Sequence, residues 1–450
     1  MIYYDRIKVY CRQSFPNGKI SAKEACAIAL SAKACGVVCE YNPFHNGHAY
    51  QLKRIREILH LPVVCAMSGT FVQRAEPACM PKAARAACAA KHGASLVLEL
   101  PFPYSCFTAE KFAEAGVRLL GQSGLCSHLA FGSECADSGL LSALAEALCD
   151  KTLLKSIQVY QKEHPELTYI RARSAVLRTH FGEAAARCEN PNDILGIEYI
   201  KAIRKCGADL IPIALARSVG RNDAPNGVFA SSSLVRRLAA EGDLERAEAF
   251  LPDDAAHGFL KRYQPETFRK TVYLLLLSKT QARLSECCEY GGGLENAVYR
   301  AVHASHSYEE AFDALKCKTL TDAKIRRLFL FGAFDVTKEQ AETPLAYANV
   351  LACAKEEAAS ALLREARKSS KLPLARRVGT IRKNKNAAAQ YAADALAEEL
   401  SGSEKRVWVL GDGWAICEKA LKERGVFCSV APEELRWQTA FGVCLAAQSK

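Results

Sequence analysis

No stretch of this 450-residue chain approaches the roughly 20 consecutive apolar residues that cross a bilayer, so no spanning helix is expected. The apolar run "ACAIALSA" at 25–32 holds eight residues, meets Lys33 at once and carries no clear cleavage site, which makes a poor signal core. Residues 21–34 are expected to form a surface helix, and the protein to be cytoplasmic. Twenty cysteines are present, yet no C-x-x-C pair occurs, and Cys287 and Cys288 are adjacent. That spacing sets aside a zinc ribbon and a thioredoxin-type centre. A chain of this size needs no disulfide staples, so the thiols are expected to be buried and reduced. There is also no internal repeat and no long low-complexity tract.

What is present is an ordinary globular composition, half apolar and 24% charged, with a formal charge of +11. The charge favours an anionic partner such as nucleic acid, a nucleotide or a membrane surface. From Gly36 a rhythm begins. The short apolar runs "GVVCE", "PVVCAM", "SLVLEL" and "CSHLAF" alternate with helical patterns over 47–59, 81–92, 109–121 and 138–150, and "DLIPIAL" at 209–215 adds a further strand. That alternation predicts an α/β fold with a doubly wound, Rossmann-like parallel sheet. Ligands of such sheets bind at the carboxyl ends of the strands, so the loops after Glu40, Met67, Leu100, Phe131 and Leu215 are expected to converge.

From about 243 to 400 helical periodicity dominates. The expected organisation is an extension over 1–34, an α/β sheet domain over 35–242, a helical basic region over 243–400 and a small strand–helix–strand unit over 401–450. The stretch 362–387 holds nine Lys or Arg against Glu365 alone: Arg364, Arg367, Lys368, Lys371, Arg376, Arg377, Arg382, Lys383 and Lys385. It reads either as an RNA-binding run or as a solvated face.

The chemistry is carried by His45-Asn46-Gly47-His48, at the hand-over from the first strand to its helix. Unpaired amides and the positive dipole end of a helix N-terminus attract anions, and Gly47 lets a phosphate come close. Both imidazoles can face the same mouth and donate to phosphate oxygens, an arrangement suited to nucleotidyl transfer. A metal reading of H-x-x-H lacks a third ligand nearby.

An H-x-G-H after a first strand resembles the nucleotidylyltransferase superfamily. "SSSLVRR" at 231–237 matches that superfamily's later helix start and offers Ser231, Ser233 and Arg236 to the phosphates. The longer strings "EYNPFHNGH", "SGTFVQRAEP", "KAARAACAAKHGASLVLELP", "FGSE" and "PNDILGIEYIKAI" resemble the bacterial tRNA(Met) cytidine acetate ligase family, with a weaker echo in "KCKTLTDAKIRRL" at 316–328. The resemblance implies an enzyme that forms acetyl-adenylate from ATP and acetate and acetylates N4 of the wobble cytidine of elongator tRNA(Met). It implies catalytic roles for His45 and His48. Its ATP site would take Val38, Cys39, Glu40, Tyr41, Asn42, Pro43, Phe44, His45, Asn46, Gly47, His48, Ala49, Tyr50 and Gln51, with Gly132, Asn192, Arg217 and Ser218. Mg²⁺ is expected with the triphosphate, without a dedicated protein cage. Lys82, Arg85, Arg376, Arg377 and Arg382 are candidates for RNA contacts, and no DNA or membrane partner is expected.

Four residues depart from the family pattern: Thr70 and Pro81 stand where Asn and Asp are usual, Ala75 where Gly is usual, and Asp193 replaces an Asn. Two other readings stand beside this one. One is a small-molecule adenylyltransferase of the same superfamily, which the large basic helical part disfavours. The other is a non-catalytic nucleotide- or RNA-binding protein, which the intact His45, Gly47 and His48 disfavour.

Overall fold

The computed structural model describes residues 33–217, 225–252, 265–318 and 320–375, and the backbone of three short strands at 407–410, 428–430 and 443–444. Five strands run parallel: β1 (Ala34–Cys39), β2 (Val63–Ser68), β3 (Leu96–Leu100), β4 (Cys126–Ser133) and β5 (Ile211–Ala216). Two more, β6 (Ala348–Cys353) and β7 (Leu374–Ala375), extend the sheet in the order β5-β4-β1-β2-β3-β6-β7. The chain moves outward from β1 through β2 to β3, then returns to the other side of β1 for β4 and β5. The order therefore reverses between β1 and β4, which opens a crevice at their carboxyl ends.

The alternation of side chains along β1 builds both faces of the core. Ala34 and Val38 join the cluster under helix Ala109–Gln122, while Cys35 and Val37 join the one under the first helix, Asn46–Leu59. Gly116 lets the former helix rest directly on the sheet: a Cβ there would stand 2.8 Å from both Val38 γ-methyls. Helices Lys151–Glu163, Tyr169–Phe181 and Pro191–Cys206 fill the long link from β4 to β5.

Two expectations change. Ala34, expected to end a surface helix, is the fully buried first residue of β1; residues 1–32 lie outside the described residues. The region after 243 is mainly helical as expected, but it also supplies β6, which pairs antiparallel with β3 (Glu99 opposite Asn349). An antiparallel edge strand on a parallel sheet is common, and this six-residue run is too short for its sequence to separate strand from helix. The later helices also share the sheet's core. Phe71, from the loop after β2, meets Phe268 and Phe334 at ring-centroid distances of 5.3 and 5.8 Å, and Phe102 meets Phe334 at 5.6 Å.

Near the C-terminus, β8 (Val407–Leu410) pairs parallel with β9 (Cys428–Val430) and antiparallel with β10 (Val443–Cys444). Among the described residues fifteen cysteines are free, and no helix is long and apolar enough to cross a membrane.

Candidate nucleotide site

The chain leaves β1 through Tyr41, whose φ of 51° is in the left-handed region that side chains resist. Its ring is buried against Phe44 and its hydroxyl lies 3.4 Å from Cys65 Sγ, so packing on all sides holds the turn. Four residues on, the helix opens with a capping box made by two imidazoles. His45 is the cap: its Nδ1 accepts the Gly47 N–H at 3.1 Å. His48 Nδ1 accepts the His45 N–H at 3.3 Å. The two rings stack with centroids 3.7 Å apart.

This geometry sets the proton positions. With Nδ1 of each ring used as an acceptor, the remaining proton of each neutral imidazole sits on Nε2. Neutrality is enforced by the surroundings. Burial, reinforced by Arg217 and then Arg236, brings the His45 imidazole down to about 3. Burial, then His45 and Arg217, holds His48 well below the usual histidine range. The site therefore offers two stacked Nε2–H donors at neutral pH rather than an imidazolium pair.

One feature of the anion site differs from expectation. The amides at the start of this helix are not bare. Gly47 N–H is taken by the His45 ring, His48 N–H by His45 O at 2.9 Å, and Asn46 N–H by Phe250 O at 2.9 Å. A side-chain cap and a packed neighbour satisfy the donors that a helix end otherwise leaves open, so the imidazoles take over the role of phosphate donors.

The expected loops do converge. Arg217 follows β5 beside the β4 turn, with Nε 3.5 Å from Glu134 Oε1. The Asn192 side-chain amide donates to that same oxygen at 2.6 Å. Gly132 keeps the approach open, since a Cβ there would lie 3.3 Å from Arg217 Cγ. Arg236, one turn into helix Ser232–Ala240, donates to Asn42 O at 2.5 Å and so reaches the same loop. Asn46 ties this segment down by donating its side chain to Val228 O at 3.0 Å. Glu40 and Asn42 fasten the loop after β2, accepting the Gln73 and Cys79 amides at 2.9 and 2.7 Å.

Other candidates have different roles. The Ser231 hydroxyl caps its helix by accepting Leu234 N–H at 3.1 Å. Ser233 is partly buried and Tyr50 exposed. Ser218, Arg376, Arg377 and Arg382 lie outside the described residues. Arg364, Arg367 and Lys368 stand on the exposed face of helix Glu357–Ser369, which buries Ala359, Leu362 and Ala366.

Arg85 is a correction. It is fully buried, and its guanidinium donates to Met80 O (3.1 Å), Glu40 O (2.5 Å), Ser68 O (3.1 Å) and Gly69 O. It clamps the ends of β1 and β2 and has no face to show to RNA. Lys82 is likewise turned inward, 2.9 Å from Glu99, whose second oxygen accepts Asn349 Nδ2 at 2.6 Å. Their side chains are 11% and 1% exposed, because the pair stitches β6 to β3 rather than facing solvent.

One departure, Asp193, has a local explanation. Asp193 is fully buried and its Oδ1 accepts the Ser133 hydroxyl (2.5 Å) and the Glu134 and Cys135 amides (3.1 and 3.2 Å). An acceptor-only carboxylate serves these donors directly and fixes the β4 turn. Ala75 has φ 56°, a conformation glycine adopts without strain. Pro81 precedes helix Lys82–Lys91 and supplies no side-chain cap. Thr70 is buried, with its carbonyl taking the Ala78 N–H at 2.9 Å. Glu134 is the site residue that the sequence reading passed over, although it ends the "FGSE" string directly after a strand.

A Rossmann-like sheet with paired imidazole donors at the first strand–helix turn, and arginines closing over them, defines a nucleotidyl transferase. A model of the HIGH nucleotidyl transferase family matches residues 32–406. The tRNA(Met) cytidine acetate ligase of Thermoanaerobacter sp. (strain X514) is 31% identical over 380 residues, covering 81% of this chain and 94% of the relative. That of Thermotoga petrophila is 33% identical over 370 residues, covering 76% and 87%. A crystal structure of Thermotoga maritima TmcAL bound with alpha-thio ATP superposes with a TM-score of 0.75 at 29% identity, over 83% of this chain and 95% of that one. The chain belongs to the tRNA(Met) cytidine acetate ligase family of HIGH nucleotidyl transferases.

Proposed function

We propose that this protein activates acetate with ATP and transfers the acetyl group to N4 of the wobble cytidine of elongator tRNA(Met). The observation that carries the reading is the stacked His45–His48 pair, with Nε2–H on each ring, beside Arg217 and Arg236.

An acetate oxygen attacks the α-phosphorus of ATP; the bond to the bridging oxygen breaks and pyrophosphate leaves. Charge builds on the α-phosphoryl oxygens, where the two Nε2–H donors stabilise it without reorganisation. The arginines hold the triphosphate tail in line. The N4 amine of cytidine then attacks the acetyl carbonyl carbon, AMP departs with the bridging oxygen and its electron pair, and the amine gives up a proton to water. The wobble base must leave the anticodon stack to reach this carbon. Mg²⁺ would neutralise triphosphate charge. Among the described residues no group of three or more His, Cys, Asp or Glu could hold a metal, so phosphate oxygens and water would be its ligands.

The test is acetate-dependent exchange of pyrophosphate into ATP, repeated with propionate and formate, followed by mass analysis of tRNA(Met) incubated with enzyme, ATP and acetate. A gain of one acetyl group on the wobble cytidine is expected. Exchange that ignores acetate, or an unmodified tRNA, would overturn the reading.

A further inference from the structure

Glu134 closes the β4 turn with a carboxylate that neither half of the proposed reaction uses. Its Oε1 accepts Asn192 Nδ2 at 2.6 Å and lies 3.5 Å from Arg217 Nε. Its Oε2 is buried and meets no hydrogen-bond donor among the described residues. The turn beneath it is fixed: Asp193 takes the Glu134 and Cys135 amides and the Ser133 hydroxyl, and that hydroxyl oxygen takes the Ala136 N–H at 2.8 Å. The carboxylate is thus aimed, with one buried oxygen unpaired among the described residues. Buried acceptors in that condition are uncommon and unfavourable, and a ligand bringing an O–H or N–H relieves them.

The chemistry of the reactants limits which donor that can be. The triphosphate and acetate are anionic acceptors, which a carboxylate repels. The cytidine amine is a donor as well but arrives only in the second half of the reaction; ATP itself offers its ribose hydroxyls and its adenine amine. Arg217 stands 3.5 Å from Glu134 and its charge disfavours protonation of both His45 and His48, so the carboxylate and the α-phosphate donors have one guanidinium as a common neighbour. The ribose is joined to the α-phosphate through a single methylene, whereas the adenine amine lies beyond it. β4 is also the strand beside β1 at the point where the strand order reverses, and the crevice at that point is where such sheets bind their nucleotide.

We propose that Glu134 Oε2 accepts a ribose hydroxyl of ATP, and that Glu134 is the residue by which the enzyme distinguishes ribonucleotide from deoxyribonucleotide. In the absence of ligand it also steadies Asn192 and Arg217. The assignment rests on the crevice being the ATP site, not on the identity of the carboxylate or the tRNA.

The test is calorimetric binding of ATP, 2′-deoxy-ATP and 3′-deoxy-ATP to the full chain without acetate, with urea unfolding as the control for folding. The wild-type protein is expected to bind ATP about 10- to 100-fold more tightly than at least one deoxy analogue, the worth of one hydrogen bond to a charged group. Glu134→Ala should lower ATP affinity to the level of that analogue and leave the analogue within about twofold, since it has no such bond to lose. Glu134→Gln, which keeps an uncharged acceptor, should fall between. An equal loss for all three nucleotides would overturn the proposal in favour of a role through Asn192, Arg217 or Mg²⁺, and so would an unchanged preference. ATP discrimination without acetate-dependent exchange would overturn the acetate reading alone; absence of ATP binding in the wild-type protein would overturn both.

Discussion

Two corners of one crevice carry similar residues and do different things. At the ends of β1, β4 and β5 stand His45, His48, Glu134 and Arg217; at the ends of β2 and β3 stand Arg85, Lys82 and Glu99. Both corners lie where a doubly wound sheet binds ligands, and both look functional in sequence. In the first, hydrogen-bonding capacity remains: an Nε2–H on each imidazole and Oε2 of Glu134. In the second the cations are engaged internally, Arg85 on four carbonyls and Lys82 on Glu99. Position at a strand end is shared, so unused donors and acceptors are what mark the reactive corner.

The sharpest challenge to that contrast is Arg85→Met. It leaves four carbonyls without their donor, and the expected loss of unfolding free energy is about 3–5 kcal/mol, comparable to breaking a buried ion pair. Urea denaturation measures it. A stable variant that merely loses tRNA affinity would return Arg85 to the RNA surface and erase the distinction.

His48→Asn probes the other corner. The asparagine carbonyl can still accept the His45 N–H, but the Nε2–H is gone. Acetate-dependent exchange should fall about 10²- to 10³-fold, as when an oxyanion donor is removed. Unfolding free energy should shift by no more than about 1 kcal/mol. A stability loss as large as that of Arg85→Met would make His48 structural.

Acid gives a third comparison. The folded protein holds His45 neutral down to about 3, while the unfolded chain takes up a proton near 6.5. Stability from this ring is therefore complete above about pH 6.5 and declines as pH falls towards 3. Between pH 7 and 5 the decline is about 2 kcal/mol, with His48 adding in the same direction. Urea midpoints at the two pH values should show it, and His45→Asn should remove its share. A wild-type slope retained in that variant would locate the proton uptake elsewhere.

The smallest effect belongs to the second corner. Helix Lys82–Lys91 lacks a side-chain cap, so Pro81→Asp should add about 0.5–1 kcal/mol without changing exchange. A change in exchange rate instead would mean that this helix start touches substrate.

Much of the fold was legible because its signals are local. The runs at 36–40, 62–67, 95–100, 126–131 and 209–215 all became parallel strands, and the pattern at 47–59 became the first helix. β6 escaped because its six residues carry no periodic pattern and its strand character comes from pairing with β3. The bare-amide anion site failed for a related reason. Sequence places a histidine at the helix start, but only the folded turn reveals that its Nδ1 takes the Gly47 N–H while Phe250, some two hundred residues away, takes that of Asn46.

The sequence by itself determined the parallel sheet, the imidazole turn after β1 and the family, since each rests on short-range spacing. Tertiary structure alone decided which charged side chains remain available. Arg85 and Lys82 turn inward, and Glu134 stands half-satisfied between Asn192 and Arg217. Burial and hydrogen-bond satisfaction depend on groups far apart in the chain, and no window of residues contains them all.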